Sequence, residues 1–370
     1  MKIGIIAKFD PLKGGGVETV VKHTIDTLKT IAGVKIICYH MDKENKSNII
    51  DNVTYKGIKT LNFPILNVVS YNLKIALLLR KKDFNYIISH GEVGAFLKRK
   101  NIKSCIRYHV YHGISELALR PYIKLNNGFQ RIIFKIYKKI AVKLEKCPIE
   151  HSDKIFSVSK HLRAELIKYY NVNPNKVLNI SNGVDTNYFS KKNRSSCQKQ
   201  LGLNPENKYI LFIGNDELRK GFDIALRVLK ALRKKQSNIF LIALGPKPRP
   251  CTGVIYLENK NVKDKVVLIN ACDILIHPSR YEGGRPTFVI MEAMSCGVPV
   301  VFSSSSSPEE IVGSENFQIN SEDPRLYAKK ILDLIQNEQE YEIASNSVRK
   351  SILKKYSLKT YNEYLSFFTD

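Results

Sequence analysis

The chain has 370 residues, 44% of them hydrophobic and 25% charged, a composition typical of globular proteins that excludes wholesale disorder. Its net charge is +25, of which residues 1–200 carry +22 and residues 201–370 carry +3. Seven scattered cysteines without a C-x-x-C pair exclude a disulfide framework and a zinc ribbon, and no apolar run is long enough to span a membrane.

The first predicted α/β unit opens at the N-terminus. Lys2–Ala7 is an apolar run typical of a buried strand, and a glycine-rich turn follows at Gly14–Gly16. Apolar residues then recur at positions 17, 20, 21, 25 and 28, the spacing of an amphipathic helix. Because the first apolar run is too short for a secretory signal, we expect a cytoplasmic protein with reduced cysteines.

Further strands are predicted along the first half of the chain. They are Ile36–Tyr39, Tyr86–Ser89, Ser104–Tyr108 and Lys154–Val158. Two histidines follow such strands, His90 and His112, although most isolated histidines have structural roles.

A basic amphipathic helix is predicted over Phe129–Lys146. Its cations are Arg131, Lys135, Lys138, Lys139, Lys143 and Lys146, and Phe129, Ile133, Ile136, Ile140 and Leu144 form an apolar stripe. Such a helix can lie on anionic lipid, or it can pack its stripe on the sheet and leave its cations in solvent. The second arrangement is commoner in a doubly wound domain.

The same order of elements begins again after a join near Ile180–Asp185. Tyr209–Gly214 predicts a strand, 215–221 a polar loop, and the apolar residues from Phe222 to Leu232 a helix. Strands Phe240–Leu244 and Asp273–His277 follow. Two separate starts predict two parallel α/β domains, with a ligand site in the cleft between them.

An anion site is predicted after the strand Asp273–His277. The loop 278–285 leads to Pro286, which suits the first turn of a helix over Thr287–Cys296, and Gly297 suits its C-terminal cap. Backbone N–H groups at such a helix N-terminus favour a phosphate or diphosphate. The next strand, Val298–Phe302, leads to the loop Ser303–Ser307.

Four charged residues accompany this anion site. Arg219 and Lys220, in a loop at a strand end, are placed to clamp a diphosphate, or they are solvated loop charges. Glu282 and Glu292 are placed to accept hydrogen bonds from sugar hydroxyls, or they are ordinary residues at the start and on the surface of a helix.

Four segments together resemble the retaining glycosyltransferases of the GT-B fold, group 1 (family 4). They are Gly14–Glu18, Ser181–Asp185, Arg219–Gly221 and Glu282–Val300. The resemblance implies two Rossmann-like doubly wound parallel-sheet domains facing across a cleft, over residues 1–182 and 183–350. A C-terminal helix over 351–370 is expected to pack back on the first domain.

The resemblance also implies the roles of individual residues. Arg219 and Lys220 neutralise the donor diphosphate, Glu292 holds the ribose hydroxyls, and Glu282 and His112 act at the transferred hexose. The expected donor site comprises Gly15, Gly16, Gly214, Arg219, Lys220, Gly283, Gly284, Arg285, Pro286, Thr287 and Glu292. Arg131, Lys135, Lys138 and Lys139 are expected to contact the acceptor or the membrane.

Two features depart from the family pattern. Its glutamates lie eight residues apart, whereas Glu282 and Glu292 are ten apart, and Gly284 stands where a strict register would place the first carboxylate. The usual Gly-Gly after the strand 298–302 is replaced by serines. The role of Glu282 and the shape of the serine loop therefore depend on the structure.

The predicted function is transfer of a hexose, with retention and without a metal or other cofactor, from a nucleotide-sugar to a saccharide or lipid-linked acceptor. The absence of any D-x-D pair agrees with metal independence. The basic first half suggests an anionic membrane surface, hence a peripheral enzyme on the inner face of the plasma membrane. The alternatives are a nucleotide-sugar hydrolase or epimerase of the same fold, and a basic nucleic-acid-binding protein, which no recognisable motif supports.

Overall fold

The computed structural model describes residues 1–61, 64–97, 105–258, 264–306 and 317–368. The contacts divide the chain into an N-terminal unit, Met1–Asn182 with Lys359–Asp370, and a C-terminal unit, Gly183–Leu358. Each unit contains one sheet, and most of its strands are separated by helices along the chain. The predicted α/β fold class with two parallel sheets is confirmed.

The N-terminal unit contains an eight-stranded sheet in the order β3-β4-β2-β1-β5-β6-β7-β8, in which β3 alone is antiparallel to its neighbour. Its strands are β1 (Lys2–Ile6), β2 (Lys35–Asp42), β3 (Lys46–Ile50), β4 (Val53–Lys59), β5 (Tyr86–His90), β6 (Ile106–Tyr111), β7 (Lys154–Ser157) and β8 (Val177–Asn179). Its helices are α1 (Gly16–Leu28), α2 (Pro64–Leu79), α3 (Ser115–Ala118), α4 (Arg120–Leu125), α5 (Gly128–His151) and α6 (Lys160–Tyr170).

The C-terminal unit contains a six-stranded parallel sheet in the order β11-β10-β9-β12-β13-β14. Its strands are β9 (Lys208–Ile213), β10 (Ile239–Leu244), β11 (Val254–Leu257), β12 (Ile274–His277), β13 (Val300–Ser303) and β14 (Gln318–Ile319). Its helices are α7 (Arg194–Gln200), α8 (Glu217–Lys220), α9 (Phe222–Arg233), α10 (Lys265–Ala271), α11 (Phe288–Ser295), α12 (Pro324–Gln336) and α13 (Glu338–Lys355).

The apolar periodicity of the sequence places the core residues. Tyr209–Ile213 of β9 are all buried, because a central parallel strand is covered on both faces. The stripe of α9 from Phe222 to Leu232 is buried against the same sheet. Because β9 and β12 are parallel neighbours, the segments that follow them lie at the same edge of the sheet.

The C-terminal segment differs from the predicted helix over 351–370. Residues 351–355 complete α13 in the C-terminal unit, and Leu358–Phe367 form a 3₁₀ helix. From Lys359 onward the chain belongs to the N-terminal unit, where Tyr361 contacts His23 and Phe368 contacts Tyr86, at ring-centre distances of 5.1 Å and 4.7 Å. The predicted single helix did not distinguish residues 351–355 from the aromatic residues after Lys359. Those aromatic residues make the contacts with the N-terminal unit.

Candidate active site

The strand order reverses between β9 and β12 in the C-terminal unit. β10 and β11 lie on one side of this pair, and β13 and β14 lie on the other. Ligands of open α/β sheets bind beyond the carboxyl ends of the strands at such a point. Gly214–Lys220 follow β9, and Pro278–Glu282 follow β12. Four of the predicted site residues, Gly214, Arg219, Lys220 and Glu282, are therefore brought together.

A four-group cluster surrounds the carboxylate of Glu282, which is buried. Lys220 Nζ lies 2.5 Å from Oε1, and Arg219 donates to Oε2 at 3.2 Å. The Ser279 hydroxyl donates to Oε1 at 2.7 Å, and Nε2 of His277 lies 3.3 Å from the same oxygen. Although Glu282 and Glu292 are ten residues apart instead of eight, the carboxylate of Glu282 still contacts both cations. The carboxylate at this site is therefore that of Glu282, although a strict register would place it at position 284.

The neighbouring cations keep the carboxylate of Glu282 ionised. Burial by itself would raise the pKa of Glu282, but Lys220 and Arg219 hold it well below its usual value. Burial lowers the pKa of Lys220, and Glu282 opposes this effect. Burial also lowers the pKa of His277, which favours a neutral imidazole. The cluster therefore offers two cations and one carboxylate to a ligand with negative charge and hydroxyl groups.

Local sequence explains how Arg219 and Lys220 are presented. They lie in the short helix α8, not in the predicted loop, because Asp216 caps that helix by accepting from the Arg219 amide at 3.2 Å. Gly221 ends α8 at φ +74°, and a Cβ there would overlap the carbonyl oxygen of Pro278. A Cβ on Gly214 would lie 2.9 Å from Cγ of Lys220, so this glycine leaves room for the lysine.

The predicted anion-binding helix is α11, which begins at Phe288. Thr287 is its N-cap but makes no side-chain cap bond, and its hydroxyl oxygen is buried without a hydrogen-bond partner. The expectation that Pro286 lies in the first turn is wrong, because the Met291 amide donates to the Thr287 carbonyl and Pro286 precedes the cap. Arg285 donates to the Glu282 carbonyl at 3.1 Å, across Gly283 and Gly284.

Glu292 contacts a different cation from Glu282. It is buried in α11 and forms an ion pair with Lys265, the first residue of α10. This position differs from the solvated surface site that was one alternative for Glu292. A carboxylate bonded to a single lysine keeps further acceptor capacity for a hydroxyl group.

The serine segment after β13 meets the Glu282 loop. The Ser303 hydroxyl donates to the Ser279 carbonyl and lies 3.3 Å from the Ser306 hydroxyl. Ser304–Ser306 form a 3₁₀ turn, and Ser307 lies outside the described residues. Hydroxyl groups thus support the loop that carries Ser279.

The corresponding reversal in the N-terminal unit lies between β1 and β5. Lys8, two residues after β1, forms an ion pair with Glu92, two residues after β5. Asn72 of α2 fixes the loop that contains Glu92. The side-chain oxygen Oδ1 of Asn72 accepts from the Gly94 and Ala95 amides at 2.6 and 2.9 Å. Lys8, Glu92 and Asn72 are not among the predicted site residues. Lys8 and Glu92 each lie two residues after a strand predicted to be buried, and a charged residue at such a strand end is the signal that indicates them.

The predicted glycine loop precedes α1. Gly15 is the N-cap and Gly16 the first helical residue. The carboxylate of Glu18 folds back over Gly15, so that a Cβ at Gly15 would overlap it. Burial raises the pKa of Glu18, while its own backbone N–H and Lys8 oppose the rise. A carboxylate of the chain itself therefore lies at this helix N-terminus, which the sequence analysis did not predict.

His112 lies directly after β6, which runs from Ile106 to Tyr111 and not over Ser104–Tyr108 as predicted. Ser104 is outside the described residues. His112 Nε2 lies 3.2 Å from Nδ1 of His90, and the two rings stack at 5.4 Å. Burial lowers the pKa of His112 to about 3, and burial together with His112 lowers that of His90. The strand-end histidines are thus a neutral pair at physiological pH.

Helix α5 departs from the commoner of its two predicted arrangements. Phe129, Ile133 and Ile136 are 76%, 41% and 50% exposed, so the first half of the apolar stripe does not pack on the sheet. The buried face carries Ala141, Glu145, Pro148 and Ile149 instead. Among the four predicted cations, Arg131, Lys135 and Lys139 are exposed, whereas Lys138 pairs with Glu116 of α3 at 2.9 Å.

The described residues contain no group of three or more His, Cys, Asp or Glu side chains placed to hold a metal ion. Within those same ranges, none of the helices combines the length and apolar character needed to cross a bilayer.

Two family models match successive parts of the chain. A model described as glycosyl transferases group 1 matches residues 193–351, and one described as glycosyltransferase family 4 matches residues 14–188. The first match includes the Arg219, Lys220 and Glu282 cluster, and the second includes the His90 and His112 pair. Residues 1–13, 189–192 and 352–370 lie outside both matches.

Similar proteins agree with these matches. The chain is 23% identical over 349 residues to N-acetyl-alpha-D-glucosaminyl L-malate synthase of Bacillus anthracis, covering 88% of this chain and 86% of that protein. The structure of WaaG, a glycosyltransferase involved in lipopolysaccharide biosynthesis, superposes with a TM-score of 0.80 at 14% identity, covering all of both chains. HepE of Anabaena in complex with UDP-glucose superposes with a TM-score of 0.73 at 18% identity, covering 100% of this chain and 99% of that one.

At these identities the solved structures establish the fold, and the two family models establish the activity. The chain therefore belongs to the group 1 glycosyltransferases of the GT-B fold.

Proposed function

We propose that this glycosyltransferase takes a hexose from a nucleoside diphosphate sugar and transfers it with retention of configuration, without a metal ion. The observation that carries the proposal is the contact of Lys220 and Arg219, both partly exposed, with the buried Glu282 at the carboxyl ends of β9 and β12. Two cations match the charge of a diphosphate, and a carboxylate held ionised between them matches the hydroxyl groups of a sugar.

The start of α11 supports the same assignment. Its first-turn amides have no cap from Thr287, whose hydroxyl also lacks a partner. Backbone amides and a hydroxyl at a helix N-terminus suit a phosphate group. Glu292, farther along α11, is the proposed partner of the ribose hydroxyls. HepE, which has the same fold, was solved in complex with UDP-glucose, a donor of this class.

A donor-binding experiment tests this proposal. Melting temperatures are measured with UDP-, GDP- and ADP-hexoses, since a ligand that binds only the folded state stabilises it. We expect one nucleotide class to raise the melting temperature, and Lys220→Ala to weaken that effect. Lys230→Ala, an exposed lysine of α9, is the matched control. Absence of a shift with every donor, or equal donor affinity in Lys220→Ala and the control, contradicts the proposal.

Product analysis separates transfer from its nearest alternative. With the stabilising donor and a mixture of saccharide and lipid-linked acceptors, we expect an α-linked product from an α-linked donor, identified by the anomeric proton coupling. Release of free hexose at full rate without any acceptor indicates a nucleotide-sugar hydrolase instead.

We propose further that the acceptor is presented at an anionic membrane surface, at which α5 docks on the inner face of the plasma membrane. Phe129, Ile132, Ile133 and Ile136 are all more than 40% exposed, and they lie among the exposed cations Arg131, Lys135 and Lys139. Apolar side chains that enter the headgroup region beside lysines and arginines are typical of interfacial helices. A +22 charge in residues 1–200 supports the same partner.

Vesicle sedimentation tests the membrane proposal. We expect binding to phosphatidylglycerol vesicles that exceeds binding to phosphatidylcholine vesicles and that falls with added salt. Ile132→Ser with Ile136→Ser should release the protein, whereas Ile343→Ser, at a 70% exposed position of α13, should not. Equal binding to both lipids at low salt, or no difference between these variants, contradicts docking through α5.

A further inference from the structure

Glu145 of α5 is a buried carboxylate that contacts the segment following His112. Its two oxygens, Oε1 and Oε2, lie 3.2 and 3.3 Å from the amide nitrogen of Ser115, the first residue of α3, and Oε1 also accepts from the Ser115 hydroxyl. Tyr170 of α6 donates its hydroxyl from 2.6 Å. Glu145 is 3% exposed, and these described partners are uncharged.

The backbone around His112 is fixed at two points. On one side, Tyr111 pairs with Ser157 in the sheet. On the other side, Glu145 caps the turn that begins at Ser115. Ile114, which lies between His112 and Ser115 in the chain, is fully buried. The imidazole itself meets His90 at 3.2 Å. Only Gly113 and Ile114 separate His112 from Ser115, so the position of Ser115 constrains the backbone at His112.

Burial without a cation gives Glu145 an unusual titration. It raises the pKa of this carboxyl to about 7, although the bonds from Ser115 and Tyr170 lower it in part. The other titratable groups around it are Tyr111, Tyr137 and Tyr170, with Glu116 next to Ser115. Burial raises the pKa of each tyrosine, so these three remain neutral near pH 7.

We propose that Glu145 is a positioning residue for His112: its carboxylate holds Ser115, and its protonation loosens that contact and moves the His112 segment. When ionised, the carboxylate accepts from the Ser115 amide, the Ser115 hydroxyl and Tyr170. When protonated, one oxygen becomes a donor, and these three donors compete for fewer acceptor sites. The role of His112 at the reacting sugar, which the family resemblance implies, rests on the proposed hexose transfer, whereas the contact of Glu145 with the His112 segment does not.

Histidine side-chain NMR tests this positioning without any substrate. The protein is labelled at its histidines, and the His112 signal is assigned by its loss in His112→Gln. We expect the His112 signal of the wild-type protein to shift between pH 6 and 8 with a midpoint near 7, although the pKa of His112 itself is about 3. The shift should disappear in Glu145→Gln, because an amide does not titrate.

Two variants control this experiment. Glu150→Gln changes an exposed glutamate of the same helix and should leave the His112 titration intact. Ser115→Ala removes one partner of Glu145 and should move the His112 signal at constant pH, which provides a test if Glu145→Gln does not fold. A His112 signal that is constant from pH 6 to 8, or that titrates equally in wild type and Glu145→Gln, overturns the proposal.

Kinetics distinguish this inference from the proposed function. With a donor identified, Glu145→Gln should lower kcat and flatten its dependence on pH near 7, while the donor Kd stays within twofold. Failure of donor binding in the wild-type protein would reject the proposed donor site and leave the NMR result valid.

Discussion

Lys220 Nζ lies 2.5 Å from Oε1 of Glu282, and this ion pair connects the segments that follow the two central strands β9 and β12. The N-terminal unit contains an equivalent pair, because Lys8 after β1 contacts Glu92 after β5. In each unit the pair lies where the strand order reverses. Both pairs join segments that are distant in sequence, so each fixes the shape of a strand-end site.

Glu282→Gln should strengthen the binding of inorganic pyrophosphate. The substitution removes the negative charge between Lys220 and Arg219 and leaves both cations available to an anion. We expect an affinity about tenfold higher, equivalent to about 1.4 kcal/mol, measured by isothermal titration calorimetry. Glu217→Gln, which affects the neighbouring Arg249 pair, is the control. An unchanged or weaker affinity would show that Glu282 does not compete with the diphosphate.

Gly221→Ala should destabilise the C-terminal unit strongly. The residue has a φ of +74°, and a Cβ would overlap the Pro278 carbonyl oxygen next to the Glu282 loop. Gly202→Ala is the matched control, since its φ is +67° and nothing lies within 4 Å of the added Cβ. We expect a loss of about 1 kcal/mol at Gly202 from the left-handed backbone alone and at least about 3 kcal/mol at Gly221. Urea unfolding followed by circular dichroism measures both, and equal losses would contradict the close approach.

Asn72→Ala should loosen the Glu92 loop. The substitution leaves the buried amides of Gly94 and Ala95 without the acceptor they share. An unsatisfied buried amide costs about 1–3 kcal/mol, so the loss of stability should exceed that of Asn48→Ala at an exposed position of β3. Amide hydrogen exchange at Gly94 and Ala95 should accelerate in Asn72→Ala, and an unchanged rate would show that these amides are protected by other contacts.

Glu145→Gln should change the pH dependence of stability. Between pH 4.5, the ordinary value, and about 7, the folded carboxyl binds more protons than the unfolded one. The free energy of unfolding therefore falls by about 3 kcal/mol as the pH rises through this window. His109 and His112, whose pKa values are lowered to about 3 by burial, contribute with the opposite sign, so the wild-type curve alone does not isolate Glu145.

The difference between Glu145→Gln and wild type isolates the glutamate term. The free energy of unfolding of Glu145→Gln, relative to that of the wild type, should be higher at pH 8 than at pH 5, as measured by urea unfolding at both pH values. A difference that does not depend on pH would mean that Glu145 titrates near its ordinary value in the folded protein.

Short-range patterns in the sequence determined the elements that carry the candidate site in the C-terminal unit. The apolar run of β9, the stripe of α9 and Gly297 after α11 follow from local backbone and burial preferences, so those elements lie close to where they were predicted. The basic character of α5 was also evident from its composition. The helix predicted from Thr287 begins one residue later, at Phe288, because its first hydrogen bond is accepted by the Thr287 carbonyl.

Only the tertiary structure decided which side chains meet. Glu282 lies 62 residues from Lys220, and Glu145 lies 30 residues from Ser115, so neither contact follows from local spacing. The exposed side of α5 was likewise undecided, because an apolar stripe can be buried by a sheet or by a lipid surface. The contacts of α5 with α3, α4 and β6 decide which of its faces is buried. The sequence by itself determined the family and the local elements, whereas long-range packing determined the charge partners, because burial and pairing depend on residues that the chain brings together only on folding.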